Sequence, residues 1–379
     1  MQIAILGRQP EIGLAELRAV YGHAELVLPQ VALVKTEKTL DIDRLGGTRK
    51  TARVIATKEM KPADVIKALG LPAEGKITLG VSVCGVKATA KTANVLGMNL
   101  KKELVRAGRS VRLLPSKEAE VSDAASLHNR LGAVPAKKEL IYVYSEGRQF
   151  LAELTGVQNL NAYAARDQER PKRDARVGML PPKLAQVLVN LAVGSDMGAG
   201  KVVLDPFCGT GVVLQEVVLM GMQAYGTDLE PRMIEYSKVN LEWLGGAGRR
   251  TGASGTRLEV GDATKHKWKT PISAVASEIY LGQPFSTVPS EEKLGDVKHV
   301  TGQILRGFLK NIGGQIEAGT VLALACPAWR RADGSFSRLP LDFLANLGYT
   351  VVDGEPCSTL LYYREKQIVA RDIIVLRKV

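Results

Sequence analysis

The stretch VLDPFCGTGVVLQEVV, residues 203–218, is the feature that most limits what this chain can fold into. A short apolar run ends in Asp205, two glycines follow at positions 209 and 211, and an apolar segment with helical spacing comes next. A strand that passes through a glycine turn into a helix is typical of a βαβ unit. A second strand, ending in Asp228, and a second helix follow. We therefore predict an α/β domain with a parallel, doubly wound sheet in the second half of the chain.

The length of the chain and the spacing of its apolar residues indicate how it is divided into domains. A chain of 379 residues is long enough for two or three domains. Before residue 156, strand and helix patterns alternate in short pieces, which indicates small α+β modules. We predict one module over 1–60, a second over 61–155, a charged linker over 156–177 and the α/β domain over 178–379. A glycine-rich loop is expected at 244–256.

The positive charge of the chain is concentrated in its first half. The whole chain has a formal net charge of +12, and residues 1–177 contain 29 Lys and Arg against 19 Asp and Glu. Residues 178–379 contain 22 against 20. A one-sided positive field favours a polyanionic partner such as nucleic acid. A solvated basic surface that maintains solubility would give the same count, so charge alone leaves both interpretations open.

Several classes of protein are disfavoured by what the sequence lacks. No uninterrupted apolar run approaches the roughly 20 residues that span a bilayer, so we expect no membrane partner. The start, MQIAILGRQPEIG, has no basic leader and no small-residue cleavage site, which favours a cytoplasmic location. The four cysteines, at 84, 208, 326 and 357, form no CxxC pair and have no nearby histidine. Neither a disulfide framework nor a metal site is expected.

Carboxylates follow three strands of the predicted parallel sheet, where ligands of such sheets bind. Asp205 lies beside the glycine turn DPFCGTG, Asp228 is placed to accept hydrogen bonds from two ribose hydroxyls, and Asp262 in GDAT can meet an adenine amino group. Adenine, ribose and a positively charged tail together describe S-adenosylmethionine, which we predict as the cofactor. The predicted cofactor contacts are Asp205, Pro206, Cys208, Gly209, Thr210, Gly211, Asp228, Leu229, Asp262 and Ala263.

A dinucleotide is the competing cofactor, because CGTGVV is close to a GxGxxG fingerprint. The third glycine of that fingerprint would fall at Leu214, and the carboxylate before the turn would repel a pyrophosphate. NAD is therefore disfavoured. Cys208 lies inside the turn and is predicted to be a small apolar residue there, not a nucleophile.

The motifs LDPFCGTG, GTDLEPRM and GDAT, with RPKRDARVGMLPPKLAQVLVNLA upstream, resemble the methyltransferase domain of THUMP-containing RNA methylases. These enzymes modify the exocyclic N2 amine of guanosine in tRNA. LGRQPEIGLAELRA and LHNRLG in the first half are similar to the ferredoxin-like and THUMP parts of the same family. The resemblance covers nearly the whole chain. It implies a ferredoxin-like module over 1–60, a basic THUMP-like module over 61–155 that binds tRNA, and a Rossmann-like methyltransferase domain.

The motif at the end of the fourth strand departs from that family. Its members have Asp-Pro-Pro-Tyr where this chain has Ser277-Glu278-Ile279-Tyr280. The lone pair of an exocyclic amine is drawn into the ring, so acceptors must hold its N–H bonds while an aromatic ring stacks on the base. The chain keeps Tyr280 and Gly282 and lacks the aspartate and both prolines. By position, the predicted catalytic residues are Ser277, Glu278 and Tyr280.

Three explanations of this departure remain open. Glu278 takes the acceptor role in a rearranged loop, or Ser277 suffices for a slower enzyme or another base, or the domain binds cofactor and RNA without transferring a methyl group. A DNA amino methylase is a further alternative. It is disfavoured because no target-recognition domain is apparent and because the first half resembles a module for folded RNA.

Overall fold

The structure, a computed structural model, describes residues 1–174, 179–246, 255–269, 271–352, 360–365 and 367–379. The chain divides into two compact units, Met1–Ala162 and Tyr163–Val379. The last part of the predicted linker, most of the predicted glycine-rich loop and Cys357 lie outside the described residues. None of the helices within these ranges combines the length and apolar character needed to cross a membrane.

The first unit is built on one mixed sheet of eight strands in the order β2-β3-β1-β4-β8-β7-β5-β6. Its strands are β1 Gln2–Leu6, β2 Ala24–Leu28, β3 Val31–Val34, β4 Thr48–Ala56, β5 Ile77–Gly85, β6 Val111–Leu113, β7 Lys137–Ser145 and β8 Arg148–Val157. Its helices are α1 Pro10–Tyr21, α2 Pro62–Ala68, α3 Ala90–Arg106 and α4 Asp123–Asn129. Strands from both predicted modules share the sheet, because β4 pairs with β8. The finer division at residue 60 stays a prediction.

Local sequence explains how α1 and α4 begin and what α1 buries. Helix α1 has a proline in its first turn, where the missing N–H leaves no bond unmade, and it buries Ile12, Leu17 and Val20. The side chain of Ser122 accepts a hydrogen bond from the Ala125 amide and so caps α4. The starts of both helices can therefore be predicted from residues next to each other in the sequence.

The second unit contains a sheet with the order β11-β10-β9-β12-β13-β17-β15, to which β14 adds beside β13 and β16 beside β17. The strands are β9 Val202–Asp205, β10 Gln223–Asp228, β11 Arg257–Val260, β12 Ala274–Glu278, β13 Val321–Arg330, β14 Phe336–Arg338, β15 Tyr349–Val351, β16 Leu361–Tyr362 and β17 Val369–Lys378. Strands β9 to β13 run parallel, and β17 runs antiparallel to β13. The predicted α/β fold with a parallel sheet is confirmed.

Both faces of this sheet are covered. The remaining helices are α5 Leu160–Gln168, which spans the boundary between the two units, and α6 Pro182–Val193, α7 Val212–Leu219, α8 Pro231–Gly246 and α9 Glu291–Gly313. Val203 and Leu204 are successive residues of β9 and are both fully buried. Because successive strand side chains point to opposite faces, neither face is open to water there. Phe308 of α9 makes edge contacts with Phe207 and Trp268, so it anchors the glycine turn after β9.

Helix α5 lies within the segment that the sequence predicts as a charged linker. In the structure, Arg166 and Glu216 form a buried ion pair with 2.7 Å between Nε and Oε1, and the hydroxyl of Tyr163 donates to the side chain of Gln186. These partners lie on α7 and α6, far along the chain, so local sequence could not reveal that this segment packs.

Candidate active site

A cleft of about 730 Å³ opens at the carboxyl ends of β9, β10 and β12 in the second unit. The sheet order changes direction between β9 and β12, and such switch points are where open α/β sheets bind ligands. Nine of the ten predicted cofactor contacts line this cleft, the exception being Gly211. Two of the three predicted catalytic residues, Glu278 and Tyr280, line it as well. The third catalytic candidate, Ser277, does not.

Asp205 ends β9 as a buried carboxylate, and its side chain has no ion-pair partner among the described residues. Its Oδ1 accepts hydrogen bonds from the Ser277 hydroxyl at 2.6 Å and from the Phe207 amide at 3.3 Å. Burial raises the pKa of Asp205 to about 7, against the opposing effect of these two hydrogen bonds. A cation bound beside it would favour the ionised form, so Asp205 suits a positively charged ligand.

Gly211 closes the turn that follows β9 and precedes α7. Its φ is +81°, a left-handed conformation that side chains rarely adopt. A β-carbon there would lie 2.8 Å from the hydroxyl of Ser237, so the packing of α8 also requires glycine. Within the same turn, burial raises the pKa of the Cys208 thiol, which keeps it protonated and argues against a nucleophilic role.

Asp228 ends β10 and ties the glycine turn to the neighbouring strand. Its Oδ2 accepts a hydrogen bond from the Gly209 amide at 2.8 Å, and its Oδ1 accepts one from the Glu230 amide at 3.0 Å. Burial raises the pKa of this carboxyl, and the amide hydrogen bonds oppose that effect. Each oxygen keeps a further lone pair, so a pair of adjacent hydroxyls can still donate to the carboxylate. Leu229, beside it, is 66% exposed.

Asp262 follows β11, and its side chain is held by hydrogen bonds from Thr264. The amide and the hydroxyl of Thr264 donate to Oδ1 at 2.9 and 2.7 Å. These bonds hold the pKa of Asp262 below its usual range, so it is an ionised acceptor at neutral pH. Ala263 next to it is buried and lines the cleft. The three aspartates thus occupy the ends of three adjacent strands at one edge of the cleft.

The two predicted acceptors at the end of β12, Ser277 and Glu278, have different surroundings. Ser277 is fully buried, and its hydroxyl donates to Asp205. Glu278 lines the cleft, and its Oε1 accepts a hydrogen bond from Nε of Arg371 at 2.8 Å. Burial raises the pKa of Glu278, and the Arg371 guanidinium opposes this rise. Of the two predicted acceptors, Glu278 is the one with access to a ligand in the cleft.

Tyr280 is the exposed aromatic ring of the cleft. Its neighbours Ile279 and Leu281 are buried, whereas Tyr280 is 43% exposed. Val300 and Ile304 of α9 line the same cleft. Because its two buried neighbours fix the backbone while its own ring is exposed, Tyr280 is suited to stacking on a planar ligand.

Sequence reasoning missed Arg371 and the two α9 residues. Arg371 lies 93 positions beyond Glu278, and no local motif connects them. Val300 and Ile304 lie in a long amphipathic helix whose pattern indicates only which face is buried. Within the described ranges, no group of three or more His, Cys, Asp or Glu side chains is arranged to hold a metal ion.

The fold and the cleft define a Rossmann-like α/β domain with a ligand cleft at the switch point of its sheet. Residues 118–239, less than half of the chain, match the DNA methylase family (N6_N4_Mtase). This segment includes the glycine turn and Asp228, and it ends before β12.

Curated relatives match parts of the chain. The tRNA (guanine(10)-N2)-dimethyltransferase of Pyrococcus abyssi is 35% identical over 116 residues, which are 31% of this chain and 29% of that protein. The protein of the same name from Methanothermobacter thermautotrophicus is 31% identical over 152 residues, 40% of this chain and 39% of that protein. The matched segments thus span less than half the length of either relative.

Two solved structures align with most of the chain. The alignment with TrmN from Thermus thermophilus covers all of this chain and 99% of the TrmN chain, with a TM-score of 0.48 and 19% sequence identity. A possible methylase from Clostridium difficile 630 covers 86% of this chain and 89% of its own, with a TM-score of 0.46 and 14% identity.

Proposed function

We propose that this protein is an S-adenosylmethionine-dependent methyltransferase that acts on the exocyclic N2 amine of a guanosine in tRNA. One observation carries the proposal. A single cleft has three carboxylates on adjacent strand ends at one edge, and a ligand-accessible carboxylate with an exposed tyrosine at the other. The first set suits an adenosine-containing cation, and the second suits a planar base with an amino group. The names of the curated relatives support this substrate.

The residues at the cofactor edge fit S-adenosylmethionine. Asp228 would accept the hydrogen bonds of the ribose hydroxyls and Asp262 that of the adenine amine. Asp205, a buried carboxylate without a cationic partner among the described residues, would lie near the positive charge of the ligand. When bound, the cofactor supplies a methyl group on a positively charged sulfur. A dinucleotide fits less well, because Asp205, the carboxylate before the glycine turn, would face its pyrophosphate.

At the other edge, the chain itself would hold the base. Tyr280 would stack on the ring of the guanine and fix its plane, which is how bases taken out of a helix are commonly held. Glu278 would accept a hydrogen bond from the amine and so direct the nitrogen lone pair toward the methyl group. As the new N–C bond forms and the bond between the methyl carbon and the cofactor sulfur breaks, the amine would lose a proton, which the Glu278 carboxylate is placed to accept. Ser277 is not favoured in this role, because its hydroxyl is buried and donates to Asp205.

The basic first half of the chain, residues 1–177, would supply the affinity for tRNA. Residues 1–177 contain an excess of ten positive charges, and phosphate neutralisation by such residues releases counterions. The affinity for tRNA should therefore fall steeply as salt is raised. An affinity that does not change with salt would contradict a role for this charge in binding.

The test of the function is nucleoside mass spectrometry of tRNA from cells with and without the protein. We expect N2-methylated guanosine to be lost at one position and restored by the intact gene. Unchanged methylguanosine would contradict the proposal.

DNA is the second candidate substrate, favoured by the description of the family that matches residues 118–239. Purified protein should be given labelled S-adenosylmethionine with unmodified tRNA and with single- and double-stranded DNA in parallel. Transfer to tRNA alone supports the proposed function, and transfer to DNA alone replaces it. Binding of tRNA and cofactor without any transfer would show a non-catalytic protein.

A further inference from the structure

We infer that Arg371 is a positioning residue that keeps Glu278 ionised and oriented in the wall of the cleft. This inference rests on the proposed function, in which Glu278 holds the target amine. The chain lacks the Asp-Pro-Pro-Tyr motif of the family that it resembles, and its prolines would stiffen the backbone. In this chain a buried ion pair from a distant strand would replace that local stiffness.

The sheet register brings the two side chains to the same face. Glu278 of β12 is paired with Ala325 of β13, and Arg371 of β17 is paired with Pro327 of the same strand. Ala325 and Pro327 are two positions apart, so the four side chains share one face. Two strand spacings, about 10 Å, separate β12 from β17. A long side chain is needed to reach across β13, and the Nε of Arg371 lies 2.8 Å from Glu278 Oε1.

Burial makes this pair consequential. The side chains of Arg371 and Glu278 are 4% and 15% exposed, so water screens their attraction little. Removing one member of a buried pair leaves the other charge uncompensated, which is a far larger effect than losing a surface pair. Among the described residues, Glu278 Oε2 makes no hydrogen bond, so Arg371 holds one oxygen and leaves the other for a donor in the cleft.

Among the described residues, Arg371 is the cation that contacts Glu278, and cations of the neighbouring elements are engaged elsewhere. Asp205 of β9 is a carboxyl, so its charge would disfavour an ionised Glu278. Lys183 of α6 lies over the ring of Tyr163, and Arg330 of β13 lies over the ring of Phe336. Arg371 is thus the cation that opposes the effect of burial on Glu278. Without it, the carboxyl would bind a proton at a higher pH and cease to be an acceptor.

The experiment compares Arg371→Gln and Arg371→Lys with the wild type in single-turnover methyl transfer to tRNA as a function of pH. For Arg371→Gln we expect the acid limb to move to higher pH. The rate should be roughly tenfold lower near pH 6.5 and within about threefold of the wild type near pH 9, since one pH unit changes the ionised fraction about tenfold. Arg371→Lys keeps the charge and should restore the wild-type limb. Affinity for S-adenosylhomocysteine should stay unchanged in both.

The matched control is Arg338→Gln, which removes the partner of Asp372, the residue next to Arg371 on β17. Asp372 points to the opposite face of the sheet, so this variant loses a neighbouring ion pair and should keep the wild-type pH profile. An Arg371→Gln variant whose rate falls by the same factor at every pH, or whose profile matches Arg338→Gln, would overturn the inference.

A second measurement separates this inference from the proposed function. In protein labelled with 13C at the glutamate side-chain carboxyl, the Glu278 signal is identified by its absence in Glu278→Gln and is titrated in the wild type and in Arg371→Lys and Arg371→Gln. We expect a higher midpoint only in Arg371→Gln, and equal midpoints in all three would overturn the inference. If the wild type transfers no methyl group to any tRNA, the proposed function fails while this titration still decides the role of Arg371. Should Arg371→Gln not fold, Arg371→Met combined with Glu278→Gln, which removes both charges, should fold again, because no uncompensated carboxylate is left. If this double variant does not fold either, Arg371 acts through packing and not through Glu278, and the inference is overturned.

Discussion

The carboxylates at the two edges of the cleft are held in different ways. At the cofactor edge, Asp228 and Asp262 accept hydrogen bonds from groups two positions further along the chain, those of Glu230 and Thr264. At the β12 edge, Glu278 depends on Arg371, a residue on another strand. Asp228 and Asp262 are therefore oriented partly by the local chain, whereas Glu278 is oriented by the assembled sheet. Changes at Glu278 or Arg371 should leave the cofactor edge intact, and the Ser277–Asp205 hydrogen bond is the link between the two edges.

The largest expected effect is on cofactor affinity in Asp228→Ala. The carboxylate is proposed to accept two hydrogen bonds from the ribose, and hydrogen bonds to charged groups contribute about 1.5 kcal/mol or more each. Affinity for S-adenosylhomocysteine should fall about 100-fold or more, as measured by calorimetry. Glu235→Ala, at an exposed acid on the same helix α8, is the control and should bind as the wild type does. An unchanged affinity in Asp228→Ala would place the ribose elsewhere.

Tyr280→Ala should show the opposite pattern, with normal cofactor affinity and slow transfer. Base stacking contributes roughly 1 to 3 kcal/mol, so the single-turnover rate should fall by about one to two factors of ten if stacking acts in the transition state. Tyr280→Phe keeps the ring and should retain most of the rate. If Tyr280→Ala is fully active, this strand end is not where the base binds.

The third prediction concerns the pH dependence of cofactor binding. Burial raises the pKa of Asp205 to about 7, and a cationic ligand prefers the ionised carboxylate. Affinity for S-adenosylmethionine should therefore be constant above about pH 8 and fall about tenfold per pH unit below 7. Binding near pH 7 should release a proton, which calorimetry in two buffers of different ionisation enthalpy detects. Asp205→Asn should abolish both effects, and a dependence that persists in this variant would have to come from another group.

The difference between the two edges also explains what could be predicted from the sequence. The parallel sheet and the glycine turn were predictable, because a strand ending in Asp205 and the left-handed Gly211 are encoded in adjacent residues. The placement of the three aspartates in one cleft follows from strand order, since the ends of parallel strands meet at one edge. Whether these residues bind the predicted ligand groups stays a prediction.

The β12 edge was less predictable, because its contacts join residues far apart in the chain. Successive side chains of a strand point to opposite faces, so Ser277 and Glu278 of β12 lie on different faces. This alternation could not indicate which of them reaches the cleft, since that depends on the position of Asp205. Helix α5 was not predicted for a similar reason, because its Arg166 forms an ion pair with Glu216 of α7, 50 positions further along the chain.

The smallest expected effect, and the one that best separates the two edges, is that of Ser277→Ala. In this structure the hydroxyl of Ser277 donates only to Asp205, a bond that lowers the pKa of that carboxyl. Its loss should move the pH dependence of cofactor binding to slightly higher pH and change methyl transfer by less than about threefold near pH 8.5, where Asp205 is ionised in either case. If Ser277 were the acceptor for the amine, transfer would instead fall strongly at every pH while cofactor binding stayed normal. Single-turnover rates at saturating cofactor, measured beside Glu278→Gln, decide between these outcomes. A slow Ser277→Ala with a fast Glu278→Gln would reverse the roles assigned to the two residues.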